Sequence, residues 1–265
     1  MNSPAEKPDD RQTAGRRIRQ TGLIIKPMTE HRPFKTSVTE RLSSLQARIA
    51  QAEQQYGRPA GSVRLLAVSK RQPVSLIEEA LAAGQRAFGE NYLQEGVEKC
   101  EQLRDKPIEW HFIGALQSNK TRAVAEHFDW VHTIDRAKIA RRLSEQRPAG
   151  LPALNCCIQV NVSGEASKSG VEPAQAEALA HEIAGLPGLC LRGLMTLPEA
   201  VDEFAEQRAA FRELRCLQEA LIESGFTLDT LSMGMSNDLE AAIAEGSTLV
   251  RLGTAVFGPR PEKTS

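Results

Sequence analysis

The sequence predicts an α/β protein built as a single (β/α)8 TIM barrel. Eight short apolar runs alternate with seven helical patterns, the order a closed parallel sheet requires. Gly84, Gly185, Gly225 and Gly246 each stand just past a last helical turn, where a left-handed C-cap belongs. The 265 residues are close to the ~250 typical of this barrel. An open doubly wound sheet is the competing architecture, but no G-x-G-x-x-G follows the first strand.

Residues 1–35 are polar, rich in Arg, Pro and Asp, and lack a sustained period. They read as a disordered tail. Arg16, Arg17 and Arg19 form a small basic cluster there, Glu6, Asp9 and Asp10 argue against an import signal, and no apolar h-region marks a secretory leader. Met28 offers an alternative translation start. The barrel domain is expected over residues 36–262. Its first element is a helix over 38–56, where Val38, Leu42, Leu45, Ile49 and Ala52 make one apolar face and Gly57 ends it.

Strand-like runs follow at 63–69, 86–89, 108–114, 130–134, 154–162, 189–197, 228–232 and 249–252. Helical patterns include 74–83, 173–184, 204–224 and 238–245. No long helix fits after the eighth strand, so the helix over 38–56 is expected to complete the outer ring.

Net charge is −1, which gives no broad electrostatic case for nucleic acid or a membrane surface. No apolar run approaches the ~20 residues of a membrane span. The five cysteines are odd in number and lack zinc-ligand spacing. They read as buried reduced thiols of a cytoplasmic protein.

In this fold the chemistry gathers at the C-terminal ends of the strands. The first run, LLAVSK, ends in Lys70. An amine at the end of a buried strand is poorly hydrated, which favours its neutral, nucleophilic form. The second run ends in Gly89-Glu90-Asn91, the third carries His111, and the sixth ends in Met195-Thr196. The seventh runs into Ser232-Met233-Gly234-Met235-Ser236 before a helix, and the eighth into Arg251-Leu252-Gly253-Thr254. Small residues after strands seven and eight suit a phosphate. A lysine facing a phosphate pocket fits a phosphorylated aldehyde. Pyridoxal 5'-phosphate (PLP) has both handles. A phosphorylated sugar does too, so spacing alone leaves a lysine-dependent aldolase open.

Read singly, several of these residues have ordinary roles. His111 suits a core histidine, Arg251 an ion pair, Asn91 a helix cap, and Met233 and Met235 packing. The stretch Gly164-Glu165-Ala166-Ser167-Lys168-Ser169 lacks P-loop spacing. Lys168 could assist cofactor transit as a second amine, or simply be solvated.

The segments LLAVSK, AFGENYLQE, WHFIGALQSNK, SKSGV, RGLMTL, LSMGMSNDLEAAI and VRLGTAVFG resemble the YggS/PROSC family, the pyridoxal phosphate homeostasis proteins. The resemblance spans residues 38–260. Asn237 is a small departure within it. It implies a barrel like the N-terminal domain of alanine racemase, with Lys70 holding PLP as a Schiff base. It places Ser232, Met233, Gly234, Met235, Ser236, Gly253 and Thr254 around the phosphate, Arg251 at the pyridine nitrogen, and Asn91, His111 and Met195 along the ring.

It further implies a role in intracellular PLP (vitamin B6) homeostasis without robust turnover, PLP-dependent apoenzymes as recipients, and a monomer. The alternative is a PLP-dependent racemase or decarboxylase. Protonating a pyridine nitrogen about 4 Å from a guanidinium would cost roughly 4 kcal/mol at an effective dielectric of ~20, about three pKa units. A neutral pyridine is a weak electron sink, which suits holding the cofactor. A racemase of this type also needs a tyrosine from a C-terminal β domain. Tyr56 and Tyr92 have no such context.

Overall fold

The computed structural model describes residues 36–164 and 169–259. The expectations for residues 1–35 and for Lys168 lie outside the described residues.

Eight short strands carry the fold: β1 (Arg64–Val68), β2 (Ala87–Glu90), β3 (Glu109–Phe112), β4 (Trp130–Ile134), β5 (Leu154–Gln159), β6 (Leu189–Met195), β7 (Thr230–Ser232) and β8 (Leu249–Leu252). Each pairs in parallel with the next, and β1 pairs with β8 from Arg64↔Leu249 to Ala67↔Leu252, closing the barrel. Closure leaves no unpaired edge. The register slips once in β4–β5 and once in β5–β6.

Strand side chains alternate between two faces. Leu65 and Ala67 join the large core under the helices. Leu66 and Val68 join Ala87, Ile113 and Leu249 in a separate cluster inside the barrel. Trp130, Cys157 and Met195 form a second interior cluster.

The helices are α1 (Val38–Gln55), α2 (Val74–Ala82), α3 (Leu93–Gln102), α4 (Thr121–His127), α5 (Ala137–Gln146), α6 (Ala176–Ala184), α7 (Phe204–Glu223), α8 (Leu239–Ala244) and the single turn α9 (Thr254–Phe257). The helix α1 starts at a capping box, in which Glu40 N–H donates to Ser37 Oγ and Ser37 N–H donates to Glu40 Oε2. Its apolar stripe is buried against α2, α8 and α9, so it completes the outer ring as expected. Val38 N–H donates to Glu79 Oε1 on α2. Arg48 grips both Glu240 oxygens on α8 at 2.6 and 2.7 Å and also donates to Ser236 O at 3.2 Å.

Some boundaries differ from the sequence reading. The run over 154–162 stops as a strand at Gln159, because Val160 pairs only with Val171 in an isolated bridge. The pattern over 173–184 opens as a 3-10 turn at Pro173–Gln175 before α6. Three cysteines are buried, but Cys190 and Cys216 are exposed, because they face outward at the start of β6 and on α7. Among the described residues no helix is long and apolar enough to cross a membrane.

Candidate functional site

β1 ends at Val68, so Lys70 stands on the turn just beyond it and is half-buried, less desolvated than a strand residue would be. Gln72 N–H donates to Ser69 O at 3.0 Å, closing a four-residue turn with Lys70 and Arg71 at its centre. Arg71 has φ +59°, a left-handed conformation that glycine usually takes. Its amide donates to Glu95 Oε1 at 2.5 Å, which helps to hold it there.

Beneath this turn lies a buried charge cluster that sequence reasoning missed. Lys99 Nζ, on α3, donates to Ser69 O at 2.8 Å, Glu90 Oε1 at 2.8 Å and Glu95 Oε1 at 2.7 Å. Ser69 Oγ donates to Glu90 Oε1 at 2.7 Å. Three ammonium protons thus meet three oxygens and bind the ends of β1, β2 and α3 together. Burial pushes the Glu90 carboxyl up, and the Lys99 charge opposes this. Its Oε2 is buried with no hydrogen-bond partner.

Asn91 follows β2 and does not cap α3, whose N-cap is Tyr92. Its Oδ1 is buried with no hydrogen-bond partner. A Cβ on Gly114 would lie 2.0 Å from Asn91 O, so glycine there lets the third strand's exit pack against it.

Across the mouth, the 232–236 segment divides by strand alternation. Ser232 is fully buried and points into the barrel, and Met233 is fully buried in the outer core. The resemblance places both around the phosphate; their side chains are taken up inside the barrel and in the outer core. Gly234, at φ +100°, turns the chain against α8, where a Cβ would meet Ala242 Cβ at 2.6 Å. Met235 is exposed and Ser236 half-buried. Met235 N–H donates to Asp238 Oδ1 at 2.5 Å. Gly253 caps and Thr254 opens α9 directly after β8, the strand paired with β7.

Arg251 is buried on β8, two residues before Gly253. Its Nη1 donates to Ser232 O and to Ser232 Oγ at 2.9 Å, and its Nη2 donates to Thr196 O at 2.9 Å. Burial lowers its pKa to about 10, so it stays charged at neutral pH.

His111 is the third residue of β3. It is fully buried inside the barrel, stacked on Trp130 at 5.3 Å, with His132 and Glu109 on its two ring nitrogens. Its strand position points inward. Met195 is 1% exposed and packs with Trp130 and Cys157 inside the barrel. His132 and Glu109 are the interior polar residues the sequence reading passed over. Their signal was polar residues at inward positions of otherwise apolar strands.

Fold and site together define a class first. Residues 41–261 match the family described as alanine racemase, N-terminal domain. An alanine racemase from Corynebacterium glutamicum superposes with a TM-score of 0.63 at 20% identity, over 84% of this chain and 63% of that one, which shows a shared fold.

Within that class, the chain belongs to the family of the pyridoxal phosphate homeostasis proteins. The Pseudomonas aeruginosa protein of that name is 59% identical over 225 residues, 85% of this chain and 96% of the relative. PipY of Synechococcus elongatus, solved with PLP bound, is 38% identical with a TM-score of 0.74, over 84% of this chain and 100% of that one.

Proposed function

We propose that the protein binds pyridoxal 5'-phosphate reversibly and takes part in keeping its intracellular level. The carrying observation is the composition of the barrel mouth. Lys70 stands on a braced turn after β1, and the small-residue segments after β7 and β8 leave the barrel at the same end, with Arg251 buried on β8, the strand paired with β1.

The residues present fit the group. The Lys70 amine suits the aldehyde: condensation forms one C=N bond and releases one water. Gly234, Met235, Ser236, Gly253 and Thr254 suit the phosphate, through backbone amides and hydroxyls. The unpartnered Asn91 Oδ1 offers an acceptor toward the ring or its hydroxyl. Arg251 suits the pyridine nitrogen and, remaining charged, disfavours protonation there. When bound, the cofactor supplies a conjugated imine.

The names of the relatives favour holding the cofactor over turning over amino acids. We take PLP-dependent apoenzymes as recipients, a monomer as the working unit, and the cytoplasm as the setting that suits five free thiols.

The test is absorbance on adding PLP, followed by borohydride reduction and peptide mapping. The reduced adduct is expected at Lys70 and is absent there in Lys70→Ala. A panel of amino acids is expected to give no sustained turnover. Labelling at another lysine, or steady product formation, would refute the reading.

A further inference from the structure

Inside the barrel, four hydrogen bonds join the cofactor end to the opposite face. Arg251 Nη1 meets Ser232 Oγ at 2.9 Å, Ser232 Oγ meets His132 Nδ1 at 2.8 Å, His132 Nε2 meets His111 Nδ1 at 2.9 Å, and His111 Nε2 meets Glu109 Oε1 at 2.7 Å. Ser232, His132 and His111 are fully buried. Glu109 is the first residue of β3, and its carboxylate is one-third exposed. It also takes Arg64 Nη2 at 2.7 Å, from the first residue of β1. Arg64 borders a cavity of about 240 Å³ shared with Trp130, Arg192 and Asp229. The line thus runs from the mouth to the N-terminal face.

Donor chemistry sets its direction. A guanidinium only donates, so Ser232 Oγ accepts from Arg251 and its own proton goes to His132 Nδ1. His132 must then carry its proton on Nε2 and give it to His111 Nδ1. His111 in turn carries its proton on Nε2 and gives it to Glu109. With both rings neutral and Glu109 ionised, this is the one arrangement that satisfies all four links. A cationic ring would instead make Ser232 Oγ accept from both Arg251 and His132, and burial opposes that charge.

We propose that Glu109 is a positioning residue for the cofactor site. Through this one-way relay it orients the Arg251 guanidinium from the far side of the barrel and supplies its distant counter-charge. The functional part rests on the reading of Arg251 as the partner of the pyridine nitrogen. The relay itself does not.

The surroundings agree. Burial pushes both imidazoles below their ordinary value, His132 strongly so, and only Glu109 and Asp129 pull His111 the other way. Arg64 faces His111, Arg251 faces His132, and Asp238 and Cys157 face Arg251. The Cys157 thiol is pushed up to about 12 by burial, so it adds no charge.

The first experiment is long-range 1H–15N correlation of the imidazoles in the full chain without PLP, assigned and followed from pH 5.5 to 8. His111 and His132 are expected to hold the neutral Nε2–H form throughout. A proton on Nδ1 of either ring, or a cationic ring at pH 7, overturns the relay with no variant needed.

The second is Glu109→Gln loaded with PLP and titrated by absorbance. Loss of a negative charge disfavours every nearby protonated group. The apparent pKa of the bound chromophore should therefore fall by about one unit, the His111 Nε2 resonance should move, and Glu109→Asp should restore both. An unchanged pKa and resonance in Glu109→Gln refute the positioning role. If borohydride fails to mark Lys70, the cofactor reading fails while the imidazole result stands.

Discussion

Lys99 is the residue on which the lysine turn rests. Its ammonium is 7% exposed and meets three oxygens at 2.7–2.8 Å. Replacing it by Met removes the cation and leaves the Glu90 carboxyl buried with one oxygen already unpartnered. Breaking one side of such a pair costs about 3–5 kcal/mol. Lys99→Met should lose about that much in denaturant unfolding and should bind PLP more weakly, because Ser69 O and Glu95 are released together. Wild-type stability would show that the cluster does not brace the turn.

The places of Lys70 and Asn91 in the fold could be read from the sequence because each follows an apolar run, and that of Arg251 because it lies within one, where local pattern alone assigns a place. The bracing residues could not. Ser69 and Glu90 are 21 positions apart, and His132 and Ser232 are 100 apart. Spacing along the chain carries no trace of such contacts.

At the scale of elements, β4 and β8 coincide with their predicted bounds, and both are buried across their full length and bounded by apolar residues at each end. The 154–162 run misled because hydrophobicity continues after the ladder ends, through Val160 and Val162. The helix α1 was legible from its five-residue apolar stripe. Its tertiary role was inferred from a missing final helix, and α9 indeed has only four residues.

The burial of Val38, Leu42, Leu45, Ile49 and Ala52 against α2, α8 and α9 means that removing α1 uncovers a continuous apolar face. A chain lacking residues 36–56 should be insoluble on expression. A soluble, cooperatively folded product would show the ring closes without it.

The whole molecule carries an acid sensitivity inside its barrel. His111 and His132 are neutral in the fold because burial lowers their pKa, whereas the unfolded chain takes a proton near 6.5. The unfolded state then binds more protons, so stability is full above that value and falls as pH drops through it. Each histidine contributes a slope of up to about 1.4 kcal/mol per pH unit. Glu109 adds a second loss at lower pH. Burial would raise it, but the His111 donor and Arg64 outweigh this and hold it below the usual carboxylate range. Chemical denaturation between pH 7.5 and 5 should show stability falling toward acid. A flat profile would mean that one ring is already protonated in the fold.

The helix α1 has a consequence for how the protein is made. It is made before β1, yet its partners α8 and α9 are the last two of the described helices, and β1 likewise waits for β8. The ring therefore stays open until β8 and α9 have been made. Arg48 reaches Ser236 O and Glu240 only at that stage, so the segments proposed to hold the phosphate are not in place on a shorter nascent chain. Vitamin loading is then open only to chains that have closed their own circle.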